Sequence, residues 1–176
     1  MIRLSPEEIA LADAHGEQKR LEAIRLDFRD HAGIEVGGAH PVEVDRLGAR
    51  CELAFAKFRG VAWTPTINDP NSEDVDGFEV RGTTHKRGGL IVRPNNITSG
   101  KATRPFSLVV QWEPGVYNVV GWFIGSDAIR DEWIMKKEGR KDAWLVPQAR
   151  LHRFYPRSSP CGRLMFRADE IGTNGA

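Results

Sequence analysis

The chain has 176 residues, 40% hydrophobic and 28% charged, with a net charge of +1. That is enough apolar side chain for one domain-sized core, and the near-neutral balance excludes a global basic field. No run approaches the roughly 20 apolar residues of a bilayer crossing, and the stretch after Met1 turns charged without a signal peptide's apolar middle.

A cytoplasmic protein with no membrane partner is therefore expected. Cys51 and Cys161 stand far apart, with no C-x-x-C or Cys/His spacing, and read as two buried thiols rather than a disulfide or zinc site.

Ser5-Pro6-Glu7-Glu8 marks a helix start, with Ser as N-cap, Pro in the first helical position and Glu three residues after the cap. Ile9, Ala12, Leu21, Ile24 and Phe28 continue at helical spacing to about His31, with Gly16 as a point where the helix can break. A Gly-rich loop, His31 to Pro41, precedes a second helix from Val42 to Arg59 that stops at Gly60. Its expected buried stripe is Leu47, Cys51, Ala54 and Phe58. Glu52 lies beside that stripe, where Ala49 and Ala56 leave room around a carboxylate.

From Val61 the pattern changes to period two. Strands are expected at Val61 to Thr66, Gly77 to Thr83, Gly89 to Arg93, Phe106 to Trp112, Val116 to Ile124 and Ala143 to Val146. The second and third read as a pair joined by the turn Thr84 to Gly88. Ser126 caps a short helix through Met135, followed by a basic loop. The spacing of Trp112, Trp122, Trp133 and Trp144 predicts core or near-core aromatics. The order gives an α+β fold with a central mixed sheet flanked by helices. One domain, 1–176, is expected, with a helical segment and loop at 1–40, a core at 41–153 and an arm at 154–176.

The chemistry concentrates in Asp74-Val-Asp-Gly-Phe-Glu79-Val-Arg81-Gly-Thr83. On a strand Glu79 and Arg81 share one face, while Phe78 and Val80 take the other. Asp74 and Asp76 sit where a polar loop enters that strand, and either can bring a second carboxylate to Glu79. Converging carboxylates repel unless a cation neutralises them, and a hard divalent ion takes such oxygen ligands. His85, Lys86, Arg87 and Arg93 follow as candidate phosphate contacts, with Lys136, Lys137, Arg140 and Lys141 as a second basic run.

This string resembles the PD-(D/E)XK, or restriction-endonuclease-like, superfamily in its short-spaced D…E-x-K form. From about Gly48 to Pro147 it also resembles phage and actinobacterial proteins sharing an E-V-R…L-I-V-R-P…G-W…V-P layout. The resemblance implies a nuclease core and hydrolysis of phosphodiester bonds with Mg²⁺, for which Mn²⁺ can substitute. It implies Asp74 and Glu79 as metal ligands (Asp76 rivalling Asp74), Glu52 as the supporting helical acid, and Arg81 in the place of Lys. Arg stays protonated, so it can steady water or transition-state charge but cannot act as a base.

Three readings follow. The first is a metal-dependent endonuclease on nucleic acid, DNA ahead of RNA, with Glu52, Asp74, Glu79 and Arg81 as its catalytic set. The second is a nuclease-fold module without catalysis that engages nucleic acid or a host protein, as a phage accessory protein would. The third is a protein adaptor whose acidic loop mimics DNA. The N-terminal helix leaves room for a homodimer.

Overall fold

The structure, a computed structural model, describes residues 1–26, 40–67, 69, 72–136 and 142–154. Strand β1 (Ile2–Arg3) leads into helix α1 (Pro6–Arg25). The start forms as the sequence dictates: the Glu8 amide donates to Ser5 Oγ at 3.2 Å, and the Ser5 amide to Glu8 Oε2 at 2.7 Å. Two N–H groups that the helix itself leaves orphaned are thus satisfied. The expected extension to His31 lies outside the described residues.

Gly16 does not break α1. A Cβ there would stand 2.7 Å from Arg46 Cα, so glycine allows the backbone of α2 (His40–Arg59) to cross in contact. The two helices run antiparallel, laced by Glu8 with Lys57, Asp13 with Arg50, and Glu17 with Arg46. From α2, Cys51, Ala54, Phe55 and Ala56 are buried. Phe55, one turn beyond Cys51, takes the core place expected for Phe58, which is 39% exposed.

The segment Val61 to Thr66 is not a strand. The Val61 amide donates to Ala56 O at 3.1 Å and closes the helix end, and Pro65 has no N–H for a ladder. Strands β2 (Glu79–Thr83) and β3 (Leu90–Val92) are followed by a short helix α3 (Pro94–Thr98) that periodicity did not reveal. Then come β4 (Pro105–Glu113), β5 (Val116–Ile124), β6 (Ile134–Met135) and β7 (Ala143–Val146). The helix expected from Ser126 to Met135 is instead two 3₁₀ turns, Ser126–Ala128 and Asp131–Trp133, running into β6. Trp133 anchors them by packing edge-on against Phe123, centroids 5.5 Å apart.

The strands form two sheets. One has the order β1-β5-β4-β2, the other β3-β7-β6. Among the described strands only β2 against β4 is parallel, in register from Glu79 opposite Phe106 to Thr83 opposite Val110. The first sheet is thus mixed and flanked by helices, as expected of the α+β class. β2 and β3 do not form the expected hairpin. β2 lies along the longer β4, which covers it end to end, while β3 pairs with β7 and buries Leu90 and Val92 in a second core. No helix among the described residues is long and apolar enough to cross a membrane. Phe154 packs beside Phe55 and Phe78, so the start of the expected arm belongs to the first core; residues 155–176, with Cys161, lie outside the described ones.

Candidate functional site

The acidic string is a tight hairpin. Asp76 and Gly77 both have positive φ, +49° and +82°. Val75 and Phe78 exchange backbone hydrogen bonds of 3.1 and 2.9 Å across them. Asp-Gly suits a two-residue turn in which both central residues are left-handed. Gly77 therefore belongs to the turn, and the strand begins at Glu79.

The turn separates the two acids. Asp74 accepts the Val80 amide through Oδ2 at 2.7 Å and lies 3.6 Å from Arg81. Asp76 instead accepts from Arg59 Nε at 2.9 Å and Nη2 at 2.6 Å, away from the groove described below. Of the two candidates, Asp74 is the one at the site.

Glu79 and Arg81 lie on one side of β2, 3.6 Å apart, as strand alternation predicts. Glu79 is only 2% exposed and has two further cations, Lys101 Nζ at 3.0 Å and Arg104 Nη1 at 2.9 Å. Both also donate to the Ser72 carbonyl, at 3.0 and 2.9 Å. Glu79 thus ties the polar loop and the turn after α3 to the strand. The Arg81 guanidinium is steadied by the Phe106 ring, 5.0 Å beneath it.

In front of Arg81 opens a groove of about 520 Å³, walled by α2, β2, β3 and the turn between those strands. Glu52 and Asp74 enter it with Lys19, Arg81, Arg87 and Arg93; His85 lies on its wall. Glu52 is 8% exposed, and burial pushes its carboxyl up to about 7. The Asp74 charge pushes the same way, while Lys19, at 3.9 Å, and Arg81 pull back. The Trp63 indole N–H also favours the charged form, though it approaches without completing a hydrogen bond. Such a group exchanges its proton near neutrality.

The expected Mg²⁺ pair does not fit this geometry. An ion bridging Asp74 and Glu79 would displace Arg81, which lies 3.6 Å from each, and would also face Lys101 and Arg104. Two carboxylates among three cations leave no negative charge for a divalent ion to neutralise. Among the described residues no three His, Cys, Asp or Glu side chains form a group able to hold a metal ion. Among the described residues the cluster holds three cations and two carboxylates.

Glu52, Asp74, Arg81, His85, Arg87 and Arg93 thus meet at one groove, with Glu79 behind it. Lys86 lies elsewhere, its ammonium 4.4 Å from the Trp112 ring, and Trp112 is 38% exposed rather than core. Lys136 is exposed and does not line the groove; Lys137, Arg140 and Lys141 lie outside the described residues. Sequence reasoning missed Lys19, which α1 carries to the site, and Gly48, the groove-facing glycine of α2. A glycine inside a helical pattern was the available signal. Compared with family models, curated proteins and solved structures, the chain finds no match.

Proposed function

We propose that the protein is a nucleic-acid-binding module on a restriction-endonuclease-like framework, with its groove gripping the phosphate backbone. The observation that carries this reading is the groove's charge: Lys19, Arg81, Arg87 and Arg93 line it together with Glu52 and Asp74. Among the described lining residues four cations stand with two carboxylates, on a chain of net charge +1. A local basic concavity attracts a polyanion without a basic surface elsewhere. The framework is supported by the mixed sheet, the Asp74 hairpin leading into Glu79 and Arg81, and the helix behind them bearing Glu52.

Fluorescence anisotropy with labelled DNA and RNA, at low salt in EDTA, tests it. Binding is expected without metal, and the logarithm of the affinity is expected to fall linearly with the logarithm of salt concentration. Arg87→Ala and Arg93→Ala should each reduce that slope by about 1, as for one lost phosphate contact. No binding of any nucleic acid at low salt would sink the proposal.

A second reading, phosphodiester hydrolysis, is favoured by Glu52, a buried carboxyl titrating near neutrality beside Asp74. That pairing offers a group to move a proton and a second acid to orient water. Labelled strands incubated with Mg²⁺, Mn²⁺ or EDTA would reveal cleavage. Cleavage unchanged in both Glu52→Gln and Asp74→Asn would remove this reading.

A further inference from the structure

We infer that the groove takes one unpaired nucleotide, its base against the apolar inner wall and its phosphates on the rim arginines, so that single strands bind in preference to duplex. This deepens the nucleic-acid reading above and rests on it.

The groove is lined by apolar as well as charged side chains. Its lining includes the apolar residues Leu47, Val80, Ile91, Leu108 and Leu145. A duplex backbone laid over Arg81, Arg87 and Arg93 would leave that apolar recess unfilled. The two faces of a base fill such a surface, and proteins that hold extruded bases use apolar as well as aromatic walls. The volume, about 520 Å³, lies within the roughly 300–1,000 Å³ of ordinary small-ligand pockets. Glu52 and Asp74 supply polar atoms for the base edge or sugar, and Lys19, Arg81, Arg87 and Arg93 supply charge for the phosphates.

Gly48 is an independent observation pointing the same way. Glycine in a helix interior is unfavourable because it frees the unfolded chain. Three other glycines have packing reasons: a Cβ would come within 2.7 Å of Arg46 Cα at Gly16, 2.6 Å of Cys51 Sγ at Gly82 and 2.6 Å of Val146 O at Gly89. At Gly48 a Cβ would meet nothing within 4 Å. Internal packing therefore gives no reason for this glycine, and it lines the groove. What its missing side chain leaves open is space for a ligand.

The test uses the full chain in EDTA at low salt, with a single strand of about twelve nucleotides, a length that spans a typical single-strand site. Its probes are that strand, its duplex, an all-abasic strand of equal length, and free mononucleotides. The normal strand is expected to bind at least about tenfold more tightly than the duplex or the abasic strand, the gain of one well-seated base. Gly48→Leu should remove that gain, leave abasic-strand binding as it was, and melt no lower than the parent. Mononucleotides should compete far more weakly than the strand. Equal affinity for normal and abasic strands, or parental binding by Gly48→Leu, would overturn the inference while leaving the phosphate grip intact. A mononucleotide binding as tightly as the strand would name the free nucleotide as ligand and overturn the single-strand preference. No binding of any probe would overturn the inference and the underlying reading together.

Discussion

The Arg59 guanidinium holds one oxygen of Asp76 twice, from Nε at 2.9 Å and from Nη2 at 2.6 Å. Arg59 is 7% exposed, with the Phe78 and Phe154 rings 5.0 and 5.9 Å from its guanidinium carbon. The pair therefore fixes the outer end of the Asp74 hairpin to the end of α2, and its role is structural. Arg59→Ala should lower stability by about 3 kcal/mol, because it removes ring contacts and leaves Asp76 without this partner. Urea unfolding checks the loss. Asp76→Ala should leave nucleic-acid affinity unchanged in the same preparations, whereas Asp74→Ala, which opens the groove wall, should alter it.

Glu79 calls for a different expectation than its strand motif alone would give. The motif reads as a ligand that can be removed without unfolding the protein. Its burial among Arg81, Lys101 and Arg104 says otherwise. Glu79→Ala would leave three neighbouring, partly exposed cations to repel one another, with an expected loss of about 2 kcal/mol. Glu79→Gln keeps the acceptor oxygen and should lose less. Urea midpoints read both, and a Glu79→Ala protein as stable as the parent would show that the ion cluster contributes little. Any functional defect in Glu79→Ala thus reports folding before it reports chemistry.

Much of this was legible in the sequence where local chemistry is self-sufficient. The Ser5 capping box, the second helix, the Asp-Gly entry and the shared face of Glu79 and Arg81 all follow from spacing and turn preference. Partner choice was not legible. Nothing local to Leu90 to Val92 says that it pairs with a strand more than fifty residues later rather than with its neighbour β2. Nor does composition distinguish Asp74 from Asp76; the left-handed turn does, by directing one to Val80 and the other to Arg59. The same limit hid Lys19, because a helix-surface lysine becomes a groove residue only once α1 has crossed α2.

That crossing supplies a paired prediction on two helical glycines. Gly16→Ala places a methyl group against the α2 backbone, where nothing flexible can give way, and should destabilise by about 2 kcal/mol. Gly48→Ala meets open space and gains helix propensity, so it should stabilise by up to about 1 kcal/mol. Thermal or urea unfolding of both variants checks the opposite signs. If both destabilised, the helix contact would extend further along α2 than Arg46.

Glu52 makes stability depend on pH with a definite sign. Its carboxyl is raised from an ordinary 4.5 to about 7, mainly by burial and then by the Asp74 charge. Between those values the folded chain holds a proton that the unfolded chain has released, so stability falls as pH rises. The favourable contribution is complete below pH 4.5 and gone above about pH 7. Its size is up to about 3 kcal/mol, from the free energy of a pKa shift of this extent. Other groups titrate over the same range, so the quantity to measure is the difference between the parent and Glu52→Gln. Relative to that variant, which cannot ionise, the parent should lose stability steadily across the window. Asp74→Asn removes the second cause of the shift and should move the upper end of the window to lower pH. Parallel curves for the parent and Glu52→Gln would mean that water reaches Glu52 in the groove. The carboxyl would then titrate as an ordinary surface acid, and the hydrolytic reading would lose its proton carrier.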